Sequence, residues 1–402
     1  MFNTCWRTPI KQRTAAPTIS RRDAITSLAT AAFSTIAIRR APANEVAAPI
    51  GDSSQLNDLG MDLNPEQRAA GVALLERYPS VDTHAHPGRF FLKDVSYETP
   101  TTRAFGSPFE AQAIADLNAG RVSASLFAAV ADMRLLEQTP QGIHAVQDFK
   151  PGEAYADYQR QVKELRTLVA AHQVGAGLTV ADIDVAHRRR HCAAVFAVEG
   201  GDFIEDKLSR VHDAFREGIR AITLVHYHIN QIGDIQTQPP VHNGMTPLGK
   251  SILREMNHAG IIADLAHAPF SVVKDAVESS TKPLMISHTY LATPAFQHPR
   301  LISEEHAKLV ASAGGIIGAW PTGFGLKTFA DYIDAIQRLI DAVGVEHVAI
   351  GTDMDANYKP VLRNYRDWSL IPAALLARGL AEHDVAKIVG GNFLRVMRAN
   401  LA

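Results

Sequence analysis

In this 402-residue chain, side chains able to bind metal stand directly after short apolar runs at several separate places. The first run closes on Asp82-Thr83-His84-Ala85-His86. Side chains on an extended strand alternate between its faces, so His84 and His86 point the same way and can meet one cation. In Val198-Glu199-Gly200-Gly201 a carboxylate follows an apolar run, and the two glycines after it allow a tight turn and close approach of a ligand. A carboxylate so placed can bridge two ions. Two later runs end in histidine, in Asp264-Leu265-Ala266-His267 and Ile286-Ser287-His288. The last run ends in Gly351-Thr352-Asp353-Met354-Asp355, where Asp353 is placed to hold a metal-bound water and take its proton. Asp355 reads as a supporting loop acid. Any one of these residues alone is ordinarily structural or solvated, but four histidines and a glutamate gathered on one rim read as a metal site.

Gathering them requires elements that bring the ends of distant runs together. After residue 64 the chain alternates short β-rich apolar runs with amphipathic stretches, the pattern of parallel strands joined by crossover helices. Eight runs are present: Tyr78 to Asp82, Ala124 to Val130, Ala193 to Val198, Ala221 to Val225, Ile261 to Leu265, Leu284 to Ser287, Gly315 to Ala319 and Val348 to Gly351. Helices are predicted over Pro247 to His258, Phe270 to Glu278, Ser303 to Ala313 and Phe329 to Val343, with Ser303 as a cap before two acids. Eight such units predict a closed (β/α)8 TIM barrel, in which sites form at the carboxyl ends of the strands. The stretches around residues 97–112 and 148–180 read as elaborations.

Ahead of this domain, residues 1–43 have a different character. Arg7, Lys11, Arg13, Arg21 and Arg22 precede an apolar stretch from Ala24 to Ile38. That stretch is shorter than the ~20 residues of a bilayer span and is diluted by Ser and Thr, so it reads as an export signal and not a stable membrane anchor. Ser20-Arg21-Arg22-Asp23-Ala24-Ile25 resembles a twin-arginine signal, with cleavage expected after Ala43 and residues 44–63 as a linker. The mature protein is then expected in the periplasm or outside the cell. The competing reading is a chance arginine pair in a disordered or organellar leader. Of two cysteines, Cys5 would leave with the leader and Cys192 reads as buried packing, which excludes a disulfide framework and a cysteine-based zinc site. A formal charge of −2 without a long basic run argues against a nucleic-acid partner.

The ordered set of motifs is similar to that of the membrane (renal) dipeptidase family, peptidase family M19, from about residue 64 to the carboxyl terminus. It comprises Val198-Glu199-Gly200-Gly201, Leu224-Val225-His226 with Asn230 and Asp234, His242 to Gly249, Asp264 to His267, Ser287-His288, His298-Pro299-Arg300, Gly351-Thr352-Asp353 and Gly390 to Val396. The resemblance implies a metallo-dependent hydrolase barrel holding two zinc ions and cleaving dipeptides. Glu199 would bridge the ions, with His267 and His288 on one and His84 and the residue at position 86 on the other. The family has Asp where this chain has His86, a departure that makes the site one unit more positive and bears on its metal preference. The counterpart of His226 meets the oxygen of the scissile carbonyl, that of Arg300 the substrate carboxylate, and that of Asp353 the proton. A hydroxide shared by the two cations would attack the amide.

No apolar run ends in a lysine suited to a carbamate bridge, and neither a Gly-rich phosphate loop nor a nucleophile elbow is found. Two alternatives stay open: a metal-dependent hydrolase of another small amide or lactone, and an exported binding protein without turnover. The expected partner is a small dipeptide-like substrate, and a homodimer is left open as an assembly.

Overall fold

The computed structural model describes residues 59–139 and 142–402, in which the apolar runs form a closed barrel of eight parallel strands. These are β1 (Val81–Ala85), β2 (Ala124–Val130), β3 (Ala193–Glu199), β4 (Ile219–Thr223), β5 (Ile262–Asp264), β6 (Met285–Thr289), β7 (Ile316–Ala319) and β8 (Val348–Ile350). They run in chain order around the ring. β8 returns to β1 where Ile350 faces Asp82. Helices cover the outer face, so every residue of the eight strands is buried, as expected of a parallel sheet covered on both sides. The expected export leader, residues 1–43, and nearly all of the linker lie outside the described residues.

Each of the eight predicted strands is present, β2 with the bounds expected and the others with shifted ends. β1 begins three residues later than its apolar run, because Tyr78 caps the preceding helix Pro65–Arg77 and Pro79 has no N–H for a ladder. β4 ends earlier than expected, and Leu224 and Val225 start the loop that carries His226. The four predicted helices form as Pro247–Ala259, Phe270–Ser279, Glu304–Ser312 and Phe329–Val343. The side chains of Thr246, Ser303 and Thr328 accept the N–H groups that the first turns of three of them leave unpaired.

Inside the barrel the strands are tied in ways that fix their carboxyl ends. Thr83 donates from Oγ1 to the carbonyls of Ser287 and Ile350, at 2.7 and 2.9 Å. Gly318 and Gly351 stand beside this contact, and a Cβ on either would lie 1.8 Å from the Ser287 carbonyl oxygen. Asp82 accepts the N–H of Thr352 at 2.9 Å and the Tyr365 hydroxyl at 2.8 Å, locking the end of β1 to the segment after β8. Asp264 does the same between β4, β5 and β6, accepting from Thr223 Oγ1 at 2.7 Å and from the Ser287 N–H at 2.8 Å. At the opposite end Asn392 donates to the carbonyls of Val345 and Val348, so the Gly-Gly-Asn motif serves the barrel's floor.

The elaborations lie where they were expected, as helices Pro100–Phe105, Glu110–Ala119 and Glu153–Ala171. A hairpin of Leu136–Thr139 and Gly142–Ala145 was not foreseen, because its first arm is short and mostly polar. Cys192 is buried, and burial pushes its thiol pKa up. Among the described residues no helix is long and apolar enough to cross a membrane.

Candidate metal centre

The barrel brings all eight expected site residues to one end. β1 delivers His84, with His86 one residue past its end, and their Nε2 atoms are 3.2 Å apart, as strand alternation requires. Glu199 is the last residue of β3, and its side chain is almost wholly buried. Its Oε1 lies 3.3 Å from His84 Nε2, 3.1 Å from His267 Nε2 and 3.7 Å from His288 Nε2. Its Oε2 lies 3.4 Å from both His86 Nε2 and His226 Nε2. Asp353 closes the group from beyond β8, with Oδ1 3.4 Å from His86 Nε2. Both His267 and Asp353 adopt left-handed backbone, at φ 66° and 54°. Such a conformation is unfavourable for a residue with a Cβ and is concentrated at functional sites.

Several of these imidazoles have their far nitrogen engaged by the protein. His86 Nδ1 meets the Ala128 carbonyl at 2.8 Å, His226 Nδ1 meets Asp132 at 2.6 Å, and His288 Nδ1 meets Ser287 Oγ at 2.9 Å. Each therefore presents Nε2 to the centre, the arrangement that orients metal-binding histidines. His267 is buried, and neither of its ring nitrogens has a hydrogen-bond partner among the described residues. Three overlapping triads have ligand atoms within 4.8 Å of one another: His84, His86 and Asp353; His84, Glu199 and His288; and Glu199, His226 and His267. Imidazole nitrogens and carboxylate oxygens at this density fit one or two divalent transition ions.

The charge states agree with that fit. Burial, together with the neighbouring Arg300 and histidine charges, holds His267 and His288 well below the usual imidazole range, leaving both neutral with lone pairs to offer. Burial would raise the Glu199 carboxyl, but His226 and His84 outweigh it and hold its pKa well below the usual range. Burial likewise opposes charge on His86, yet Asp353 and Glu199 raise it to about 10. The carboxylates thus favour positive charge at that point, and a metal ion would displace the proton.

Arg300 lies beside the cluster with 1% of its surface exposed. It donates from Nη1 to Gln236 Oε1 at 2.7 Å, and its Nη2 is 2.9 Å from His288 Nε2. The Trp320 ring lies beneath its guanidinium at 5.3 Å. His298 stacks on Phe324 with centroids 4.2 Å apart and receives the Arg300 N–H at 3.2 Å, a structural role within its turn. His228 binds Asp202 at 2.6 Å and Asp148 at 3.2 Å, and Asp355 takes the Gly88 N–H at 2.7 Å.

Sequence reasoning missed Asp132, Gln236 and Trp320. Asp132 carries the same signal as the others, a polar residue soon after an apolar run, here Ala124 to Val130. Gln236 and Trp320 lie in loops without a distinctive pattern. Asn230 and Asp234 in the strand-four motif prove to be scaffolding. Asp234 takes the N–H groups of Val241, His242 and Gly244, and Asn230 bridges Asp202 to the Leu224 carbonyl.

The sequence profile of membrane dipeptidase (peptidase family M19) matches residues 68–402. Dipeptidase verJ of Clonostachys rogersoniana is 29% identical over 266 residues, covering 63% of this chain and 68% of that protein. Dipeptidase 3 of Mus musculus is 26% identical over 234 residues, covering 54% of this chain and 47% of that protein, so the match spans about half its length. A metallopeptidase crystal structure from Rhodobacter sphaeroides, liganded with a phosphinate mimic of the dipeptide L-Ala-D-Ala, shares the fold. The two superpose with a TM-score of 0.67 at 19% identity, covering 80% of this chain and 99% of the other. The chain belongs to the membrane dipeptidase family, peptidase family M19, and is an enzyme of that family.

Proposed function

We propose that this chain is a zinc-dependent dipeptidase holding two ions per chain. The observation that carries this reading is the division of Glu199, whose Oε1 faces His84, His267 and His288 while Oε2 faces His86 and His226. With Oε2 toward His86 and Oε1 toward His267 and His288, the carboxylate can serve two ions, and His84, 3.3 Å from Oε1 and 3.2 Å from His86 Nε2, borders both sets. His84 and His86 would hold one ion, and His267 and His288 the other. The ions, when bound, would polarise the amide carbonyl and make a water acidic enough to attack at neutral pH.

The chain's own side chains do the rest. Burial opposes charge on His226, but Asp132 and Glu199 raise its pKa, so Nε2 can donate to the oxygen on which negative charge develops. Asp353 reaches the same space, where it can hold the proton of the attacking water and return it to the departing amine. Arg300 offers a planar guanidinium suited to the substrate's terminal carboxylate. Burial of the whole group excludes bulk water and strengthens each of these interactions.

Metal analysis of the purified protein with a screen of L,L and L,D dipeptides tests the reading. Two ions per chain and chelator-sensitive dipeptide hydrolysis are expected. A metal-loaded protein that leaves every dipeptide intact but opens a lactone or another small amide would replace it. Residues 1–43 we read as an export leader, and recovery of the uncleaved chain from the cytosol would reject that reading.

A further inference from the structure

His226 is held by a carboxylate that is neither a proposed metal ligand nor a substrate contact. Asp132 lies two residues beyond the end of β2 and is wholly buried. Its Oδ1 is 2.6 Å from His226 Nδ1, and its Oδ2 accepts the N–H of Tyr227 at 3.0 Å. One carboxylate thus fixes both the backbone of the loop after β4 and the ring of the residue before. The same loop is held a second time through its side chains, since Asp202 meets His228 Nδ1 at 2.6 Å and accepts from Asn230 Nδ2 at 3.2 Å. Among the described residues, Asp132 is the group that hydrogen-bonds the Nδ1 of His226.

A carboxylate can only accept, so Nδ1 must be the donor, and that leaves Nε2 facing Glu199 at 3.4 Å. We infer that Asp132 is a positioning residue: it holds His226 with Nδ1 protonated and Nε2 directed at the scissile carbonyl, and supports through the ring the charge that Nε2 presents there. This rests on the dipeptidase reading for its effect on rate, but not for its effect on the ring.

Asp132→Asn separates this role from mere structure. Oδ2 already accepts the Tyr227 N–H, so an asparagine must keep its oxygen there and turn its NH2 toward His226. Nδ1 then becomes an acceptor, the ring is held neutral with its one proton on Nε2, and the hydrogen bond from Nε2 loses its charge assistance. In the metal-loaded enzyme, Asp132→Asn should lower kcat by roughly 10- to 100-fold, with KM and metal content close to wild type. In a His226→Ala background the same substitution should cost nothing further. Equal losses in both backgrounds, or loss of metal, would make Asp132 structural and overturn the inference. Nitrogen-15 NMR of the imidazoles gives a readout that needs neither turnover nor a folded variant. Wild-type His226 should show a protonated Nδ1, and an unprotonated Nδ1 would reject the proposal. If wild type hydrolyses no dipeptide, the functional reading fails while the ring measurement still decides this one.

Discussion

His267 Nε2 stands 3.1 Å from Glu199 Oε1, yet neither nitrogen of the buried His267 ring makes a hydrogen bond among the described residues. Proximity without alignment is what two ligands of one ion show, since each aims its lone pair at a point between them and not at the other. The left-handed backbone at His267 places the ring there and is a conformation the chain would otherwise avoid.

Glu199 is therefore the residue whose loss should reach furthest. Placing two divalent ions a few ångströms apart requires a negative group between them. Glu199→Ala should retain far less metal at both positions, and activity should fall in proportion. Atomic absorption on the folded variant would show this. Undiminished stoichiometry would remove Glu199 from the bridging position.

The barrel interior makes a prediction about folding independent of metal. A Cβ at Gly351 would lie 1.8 Å from the Ser287 carbonyl oxygen and 2.7 Å from Thr83 Oγ1. Those atoms belong to two strands, and Thr83 Oγ1 bonds both the Ser287 carbonyl and the Ile350 carbonyl of a third, so they cannot step aside singly. Gly351→Ala should cost on the order of 3 kcal/mol or more, by forced displacement in a packed core. A thermal midpoint equal to wild type would show that the strands yield more easily than this contact implies.

Much of the fold was legible because parallel strands buried on both faces leave unbroken apolar runs, and helices of a barrel leave three-to-four spacing. The site was legible because its ligands sit at strand exits, where a polar residue after an apolar run is conspicuous. His226 and Arg300 lacked that signal in isolation, since a buried histidine and a surface arginine are commonplace, and only the ordered family motifs singled them out. Asp132 was within reach of the strand-exit signal and went unread. The turn of the Arg300 guanidinium onto Gln236 and His288 depends on two loops and strand β6 meeting across 64 and 12 residues of sequence, which no local pattern encodes.

Two histidines outside the metal cluster tie stability to pH. Burial lowers His306 to about 4, and burial with the nearby Arg300 charge lowers His298 to about 4. In the unfolded chain both would titrate near 6.5. Between these values the unfolded state binds more protons, so stability is fully present above 6.5 and is lost as pH falls toward 4. His306, 4% exposed and with no partner for Nε2 among the described residues, carries up to about 3 kcal/mol of this dependence. His306→Leu should flatten the fall in thermal midpoint between pH 7 and 5, in chelator so that metal release does not contribute. An unchanged slope would mean that His306 finds a proton acceptor when charged.

The sharpest test of the centre falls on His86, where this chain leaves its family's aspartate. Its Nδ1 is fixed by the Ala128 carbonyl, and its Nε2 faces His84, Glu199 and Asp353 at 3.2 to 3.4 Å. An imidazole so aimed can replace a carboxylate as a ligand, though the site then carries one more unit of positive charge. His86→Asp should retain both ions, whereas His86→Ala should weaken the ion held with His84 by on the order of 10-fold or more, because water must fill the place of a ligand. The ion held by His267 and His288 should be spared. Titrating zinc into the metal-free proteins by calorimetry would show one weakened step of two in His86→Ala and none in His86→Asp. If His86→Ala binds both ions as tightly as wild type, His86 is a bystander. Asp353, 3.4 Å away, would then be the carboxylate that takes the family aspartate's place, at the cost of its freedom to carry a proton.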